Sequence, residues 1–160
     1  MNYKKILDNF DVSAQGIWYP IGLSIILLIF VLFMPKKLTW KEIYITFGVV
    51  GWLATITDLT FGPNLDFFDL GTPQHEGIGD IISYGIIPAL FAVIFLNYYK
   101  KEKKWRFVLI FIVLSLLAHW IMVQVGFMKE HFWKVGYDIP VFLFVYRVFL
   151  PWHLRFIRNA

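Results

Sequence analysis

Residues 105–128 read WRFVLIFIVLSLLAHWIMVQVGFM, an apolar run broken only by Arg106 at its start and by Ser115, His119 and Gln124 further in. A membrane-crossing helix needs about 20 predominantly apolar residues, and this stretch reaches that length with its formal charge confined to one end. Four more apolar segments flank it. Before it, residues 77–98 end at the basic run from Lys100 to Lys104, residues 40–61 stop at Gly62-Pro63, and residues 18–34 end at Pro35-Lys36-Lys37. After it, residues 137–154 are apolar but interrupted by Pro140, Arg147 and Pro151, which makes four spans the alternative to five. The sequence therefore predicts an all-α integral membrane bundle of five transmembrane helices in a single domain over residues 1–160.

Composition points the same way. Of 160 residues, 59% are hydrophobic, 20% aromatic and only 16% charged, against about 25% charged in an ordinary soluble domain. Mean hydropathy is +0.64. A disordered chain, a disulfide scaffold and a soluble fold are all excluded by this balance. Cysteine is absent, which removes thiol catalysis and Cys-based zinc sites.

Local chemistry sets several limits. Thr39 and Glu42 form a capping-box pattern ahead of the second helix. Thr72-Pro73 reads as cap and first residue of the third, which would carry His75 and Glu76 on its first turn. Tyr3, Ile6, Leu7 and Phe10 recur at helical spacing, so residues 1–13 read as an interfacial helix. No small-residue cleavage site follows the first apolar run, which argues against a signal peptide.

Lysine and arginine set the expected orientation. Lys36, Lys37, Lys41, Lys100, Lys101, Lys103, Lys104, Arg106, Arg147, Arg155 and Arg158 fall on one side, eleven in all, against Lys4, Lys5, Lys129 and Lys134 on the other. The eleven should face the cytoplasm, with the N-terminus outside and the C-terminus inside. Nine of the eleven acids fall on the opposite side, and only Glu42 and Glu102 lie with the basic cluster. The net charge of +4 is thus a topology signal and not a nucleic-acid footprint. The Lys100–Arg106 loop is suited to anionic lipid headgroups.

Ionisable groups inside spans are costly and mark functional candidates. At about 1.5 Å of rise per residue, Asp58, Asp80, His119 and Asp138 fall on four helices in one layer of the outer leaflet. Helical spacing aligns Glu76, Asp80, Ser83 and Tyr84 on one face. It also aligns Gly51, Thr55 and Asp58, and Ser115, His119 and Gly126, the glycines permitting close helix approach. The expected result is an outward-facing acidic pocket lined by Asp58, Glu76, Asp80, Tyr84, His119 and Asp138, its mouth edged by Asp66, Asp69, His75 and His131. Asp58, Glu76, Asp80 and His119 also make a candidate metal set, though no motif such as HExxH is present.

Taken one at a time, these residues have ordinary structural explanations. Asp58 can bond a helix end, Glu76 and Asp80 suit a helix N-terminus, and His119 can bond a carbonyl. Arg147 reads as a side chain snorkelling toward the basic interface or pairing with a carbonyl. Trp152 and His153 lie near that interface.

The stretches Gly77-Ile-Gly-Asp80, Ile86-Ile87-Pro88, Asn97-Tyr98-Tyr99, Val125-Gly126-Phe127, Trp133-Lys-Val-Gly136-Tyr137 and Phe149-Leu150-Pro151-Trp152-His153 resemble a family of small polytopic integral membrane proteins of Bacillus- and Clostridium-type bacteria. The resemblance covers about two thirds of the chain. It implies a bacterial plasma-membrane protein of four or five helices and brings no activity or catalytic residues with it. The leading expectation is a multi-pass protein that binds or passes a small polar or cationic ligand, or a lipid headgroup, with a homo-oligomer or membrane partner for transport. A membrane-embedded enzyme acting on a lipid by Asp/His acid–base or metal-assisted chemistry is the alternative, and a structural or regulatory subunit the third reading.

Overall fold

The computed structural model describes residues 10–73, 77–100, 102 and 104–159. Five helices follow one another: α1 (Trp18–Phe33), α2 (Trp40–Phe61), α3 (Ile78–Tyr98), α4 (Lys104–Gln124) and α5 (Val135–Asn159). Two three-residue strands, β1 (Phe68–Leu70) and β2 (Met128–Glu130), lie in the α2–α3 and α4–α5 connections. Helices α2 to α5 are long and apolar enough to cross a membrane. The 16-residue α1 rises only about 24 Å, short of the ~30 Å of a bilayer's hydrocarbon core. The expected interfacial helix over 1–13 falls mostly outside the described residues, and 10–13 form a turn.

The strands correct the purely helical expectation. They pair antiparallel, Phe68 with Glu130, Asp69 with Lys129 and Leu70 with Met128. Residues 125–128, expected to continue the fourth helix, leave it through a Schellman turn. Gly126 adopts φ +78°, its N–H donates to Val123 O, and Phe127 N–H donates to Met122 O. Glycine carries that left-handed conformation at little cost. Gly126 therefore sits beyond the helix and not on one face with Ser115 and His119.

Alternation of the helices is fixed by tie points at both ends. The ribbon joins the α2–α3 connection to the α4–α5 connection at one end. At the other, Asn97 near the end of α3 holds the α1–α2 connection: its Oδ1 accepts from Lys37 and Leu38 N–H at 2.8 and 3.3 Å, and its Nδ2 donates to Pro35 O at 3.1 Å. Arg158 at the end of α5 meets Glu42 at the start of α2 at 2.6 Å. Glu42 also closes the expected capping box with Thr39. Asp11, Asp58, Asp66, Asp69, Asp80, Glu130 and Asp138 collect at the ribbon end, while Lys36, Lys37, Lys41, Lys100, Arg106, Arg155 and Arg158 collect at the other.

Helix α3 is the hub, with 56% of its apolar window buried against 33% or less for the other three long helices. Large apolar side chains point outward from the rest, among them Phe33, Tyr44, Trp52, Leu109, Trp120 and Phe144, a surface suited to lipid and not to water. Pro88 and Pro151, one of the expected interruptions, sit inside long helices without breaking them. Each lies just after a π-helical stretch, Ile81–Ile86 and Val145–Phe149. Proline lacks an N–H and its ring crowds the carbonyl four residues back, and a wider π turn moves that carbonyl out of α register. Pro140 lies in the first turns of α5, where a missing N–H costs little. Helix α5 therefore runs unbroken and outlasts the expected 137–154 at both ends.

The α2–α3 contact is close enough to test. A Cβ on Gly51 would stand 2.5 Å from the backbone oxygen of Gly85, and a backbone atom inside a packed helix has little room to yield. Gly51→Val should destabilise by about 1–3 kcal/mol or more, the range of core overpacking, read as a lower unfolding midpoint in mixed micelles. Gly48→Val, where nothing lies within 4 Å of the added carbon, should leave the midpoint nearly unchanged.

Candidate functional site at the ribbon end of the bundle

His119 lies on α4 five residues before its end, and Asp138 opens the α-helical part of α5. The short connection between them, held by β2, brings the two together. His119 Nδ1 and Asp138 Oδ2 share a hydrogen bond. The other oxygen of Asp138 accepts from Trp133 Nε1 at 2.7 Å, so the carboxylate is held by two ring N–H groups from two segments. Asp138 is buried, and both side chains are only 10% accessible.

The far ring nitrogen, His119 Nε2, is buried and has no hydrogen-bond partner among the described residues. Glu130 Oε1 stands 3.9 Å from it. Glu130 is itself oriented by Val135 N–H, which donates to Oε1 at 2.6 Å, and its Oε2 lies 3.9 Å from Lys134 Nζ. The imidazole thus lies between an orienting carboxylate on one nitrogen and a second carboxylate near the other. A histidine whose Nδ1–H is held by a carboxylate presents a lone pair at Nε2, the arrangement of a general base or a metal ligand.

A second group of acids faces the α2–α3 seam. Asp58, buried on α2, and Asp80, on the first turn of α3, line one cleft of about 270 Å³ together with Thr55, Phe10 and Ile81. Asp80 Oδ2 accepts from Gly77 N–H at 2.6 Å, which closes the start of α3. Tyr84 lies within electrostatic reach of Asp58, Asp138 and Asp80, and its ring stacks on Phe68 of β1 with centroids 5.7 Å apart. Asp58 and Asp80 on one cleft, and Asp138 with His119, therefore form two groups at the ribbon end, with Tyr84 one turn beyond Asp80.

Other expected members lie elsewhere. Glu76 and His75 fall outside the described residues. Thr72 does not cap α3, which begins at Ile78. Its hydroxyl donates to Asp11 Oδ1 at 2.8 Å and its N–H to Asp11 Oδ2 at 2.8 Å, so a buried acid from the N-terminal segment organises that turn. Ser115 bonds Tyr146 at 2.7 Å and is one turn removed from the site. Arg147 lays its guanidinium over the Trp105 ring at 5.0 Å, at the start of α4 beside the basic loop, the side toward which it is expected to reach. His153 is buried against Phe149 and shares a cleft with Lys41 at the basic end, while Trp152 beside it is exposed as an anchor would be.

Glu130 and Trp133 fall in the loop that the sequence pattern leaves between the fourth and fifth spans, where no role is expected of them. Their signal was the short stretch from Gly126, where the helix stops, to Val135, where the next begins: anything between must lie at the same end as His119. No protein-family model, curated protein or solved structure matches the chain. The reading of the site rests on its own geometry.

Proposed function

We propose that the chain is a multi-pass protein of a bacterial plasma membrane that binds a small cationic or polar ligand, or a lipid headgroup of that charge, in the acidic region under the ribbon. The ribbon end faces outward and the basic end faces the cytoplasm, as the lysine and arginine bias requires. The single observation that carries the reading is the cleft of about 270 Å³ lined by Asp58 and Asp80 beneath a cap that ties the two connecting segments together. Carboxyl groups gathered in a largely apolar bundle offer oxygen acceptors to a cationic or polar group, and the aromatic ring of Tyr84 offers a π face to an alkylammonium group. Anionic lipid is the expected partner of the Lys100–Arg106 loop at the opposite end.

Native mass spectrometry of protein released from nanodiscs tests this. Choline, ethanolamine and spermidine are offered as soluble probes, and phosphatidylethanolamine as the lipid probe. One retained equivalent of a cationic probe, lost in Asp58→Asn and Asp138→Asn at a near-normal thermal midpoint, is the expected result. Retention of every probe at the same low level in wild type and both variants would overturn it.

A second reading has its own support. His119 carries an oriented Nδ1 and a partnerless Nε2 beside Glu130, which is the layout of an acid–base pair acting on a lipid ester or phosphate.

A further inference from the structure

Outside that region, three side chains converge on the outer face of the ribbon. Asp66 comes from the loop after α2, Asp69 from β1, and His131 from the residue after β2. One donor atom from each lies within 4.8 Å of the other two, and His131 Nε2 is 3.0 Å from Asp69 Oδ2. Sixty-two residues separate Asp69 from His131, so chain proximity does not explain the grouping.

We infer that Asp66, Asp69 and His131 form a site for one divalent first-row cation of the zinc class. The donor set is mixed, two carboxylates and one imidazole. Hard cations such as calcium and magnesium take oxygen ligands, whereas imidazole with carboxylate suits zinc and its neighbours. Zinc-to-nitrogen and zinc-to-oxygen bonds of about 2.0–2.2 Å let two ligand atoms stand at most roughly 4.4 Å apart across the ion. The observed spacing closes to that with a small rotation of the exposed Asp66.

Charge favours the same conclusion. Among the described residues, neither Asp66 nor Asp69 pairs with a lysine or arginine within 4.0 Å, although Lys129 sits opposite Asp69 in the ribbon. Asp69 turns to His131 instead. A dication would meet two carboxylates whose charge no lysine or arginine among the described residues neutralises.

The scaffold beneath is already built. The backbone oxygen of Phe67, between the two aspartates, accepts from the N–H groups of His131, Phe132 and Trp133 at 3.0–3.1 Å. Asp66 N–H donates to Gly62 O at 2.7 Å. The ordering of both loops is therefore complete without the ion, which adds a cross-link between them over the acidic region. Three protein ligands leave a fourth position for water or an anionic group.

The test uses the full chain without a histidine tag, in detergent, stripped with chelator and titrated calorimetrically with zinc, manganese and calcium chlorides. One equivalent of zinc, bound more tightly than calcium, is expected. His131→Ala and Asp66→Asn should each weaken zinc by about tenfold or more, since loss of even an outer partner has that effect. Both positions are exposed, so thermal midpoints without metal should hold. His119→Ala, in the bundle, should leave zinc affinity unchanged. Absence of one-equivalent binding, zinc affinity unmoved by His131→Ala, or zinc loss in His119→Ala instead would each overturn the site.

Discussion

Asn97→Leu should lower stability by roughly 3–9 kcal/mol, because three buried or half-buried backbone groups lose their partner together, each at about 1–3 kcal/mol. Asn97 is almost fully buried, and Lys37 N–H, Leu38 N–H and Pro35 O all meet it. Those groups belong to a connection of six residues between α1 and α2 that forms no ladder of its own. Water can re-solvate Lys37 more readily than Leu38, which is buried, so the lower half of the range applies if the loop lifts away. Asn97→Asp separates the contributions. It keeps both acceptor contacts and removes only the donor to Pro35 O, setting a carboxylate against a carbonyl, and it should fall between wild type and Asn97→Leu. The measurement is the unfolding midpoint in mixed micelles. Equal midpoints for wild type and Asn97→Leu would mean that α1 and its connection contribute nothing to the fold.

Asn97 also shows what the sequence could and could not give. The spans were legible because lipid imposes a composition on them: a helix such as α4 must be apolar along its whole length, and 105–124 is. Capping was legible where it is local, as in Thr39 with Glu42. The ribbon was not, since Phe68–Leu70 and Met128–Glu130 carry no strand signature at three residues each and exist because two loops meet. Pairing across 60 residues, as of Asn97 with Pro35, Lys37 and Leu38, is likewise invisible to periodicity. For the candidate site, depth along each helix was enough to bring Asp58, Asp80, His119 and Asp138 to one level. It could not say which of them touch. Helical phase failed at Gly126, because the face was projected past the point where the helix ends. The prolines misled in the opposite direction: their effect on α5 depends on the π turn before Pro151, which arises from packing and leaves no mark in composition.

Asp138→Ala and Asp138→Asn should part company, and the difference tells a structural carboxylate from a functional one. Alanine strands two buried donors, Trp133 Nε1–H and His119 Nδ1–H. At about 1–3 kcal/mol for each unsatisfied group, the loss is roughly 2–6 kcal/mol, enough to reduce the yield of folded protein. Asparagine keeps the volume and one acceptor, which Trp133 can retain. Its amide N–H₂ then faces His119 Nδ1, and the imidazole can answer by moving its proton to Nε2. Stability should fall by about 1 kcal/mol or less, the scale of one net hydrogen bond, yet the lone pair at Nε2 is gone and an N–H points toward Glu130. Nitrogen NMR of ¹⁵N-histidine protein reads this directly, as the His119 Nε2 resonance moving from the unprotonated to the protonated range. If His119 serves as base or ligand, Asp138→Asn abolishes ligand retention or lipid turnover at a near-normal melting midpoint, and Glu130→Gln does not restore it. If the pair only braces α4 against α5, Asp138→Asn behaves as wild type in every assay but the NMR spectrum. Function would then rest on Asp58 and Asp80 across the α2–α3 cleft.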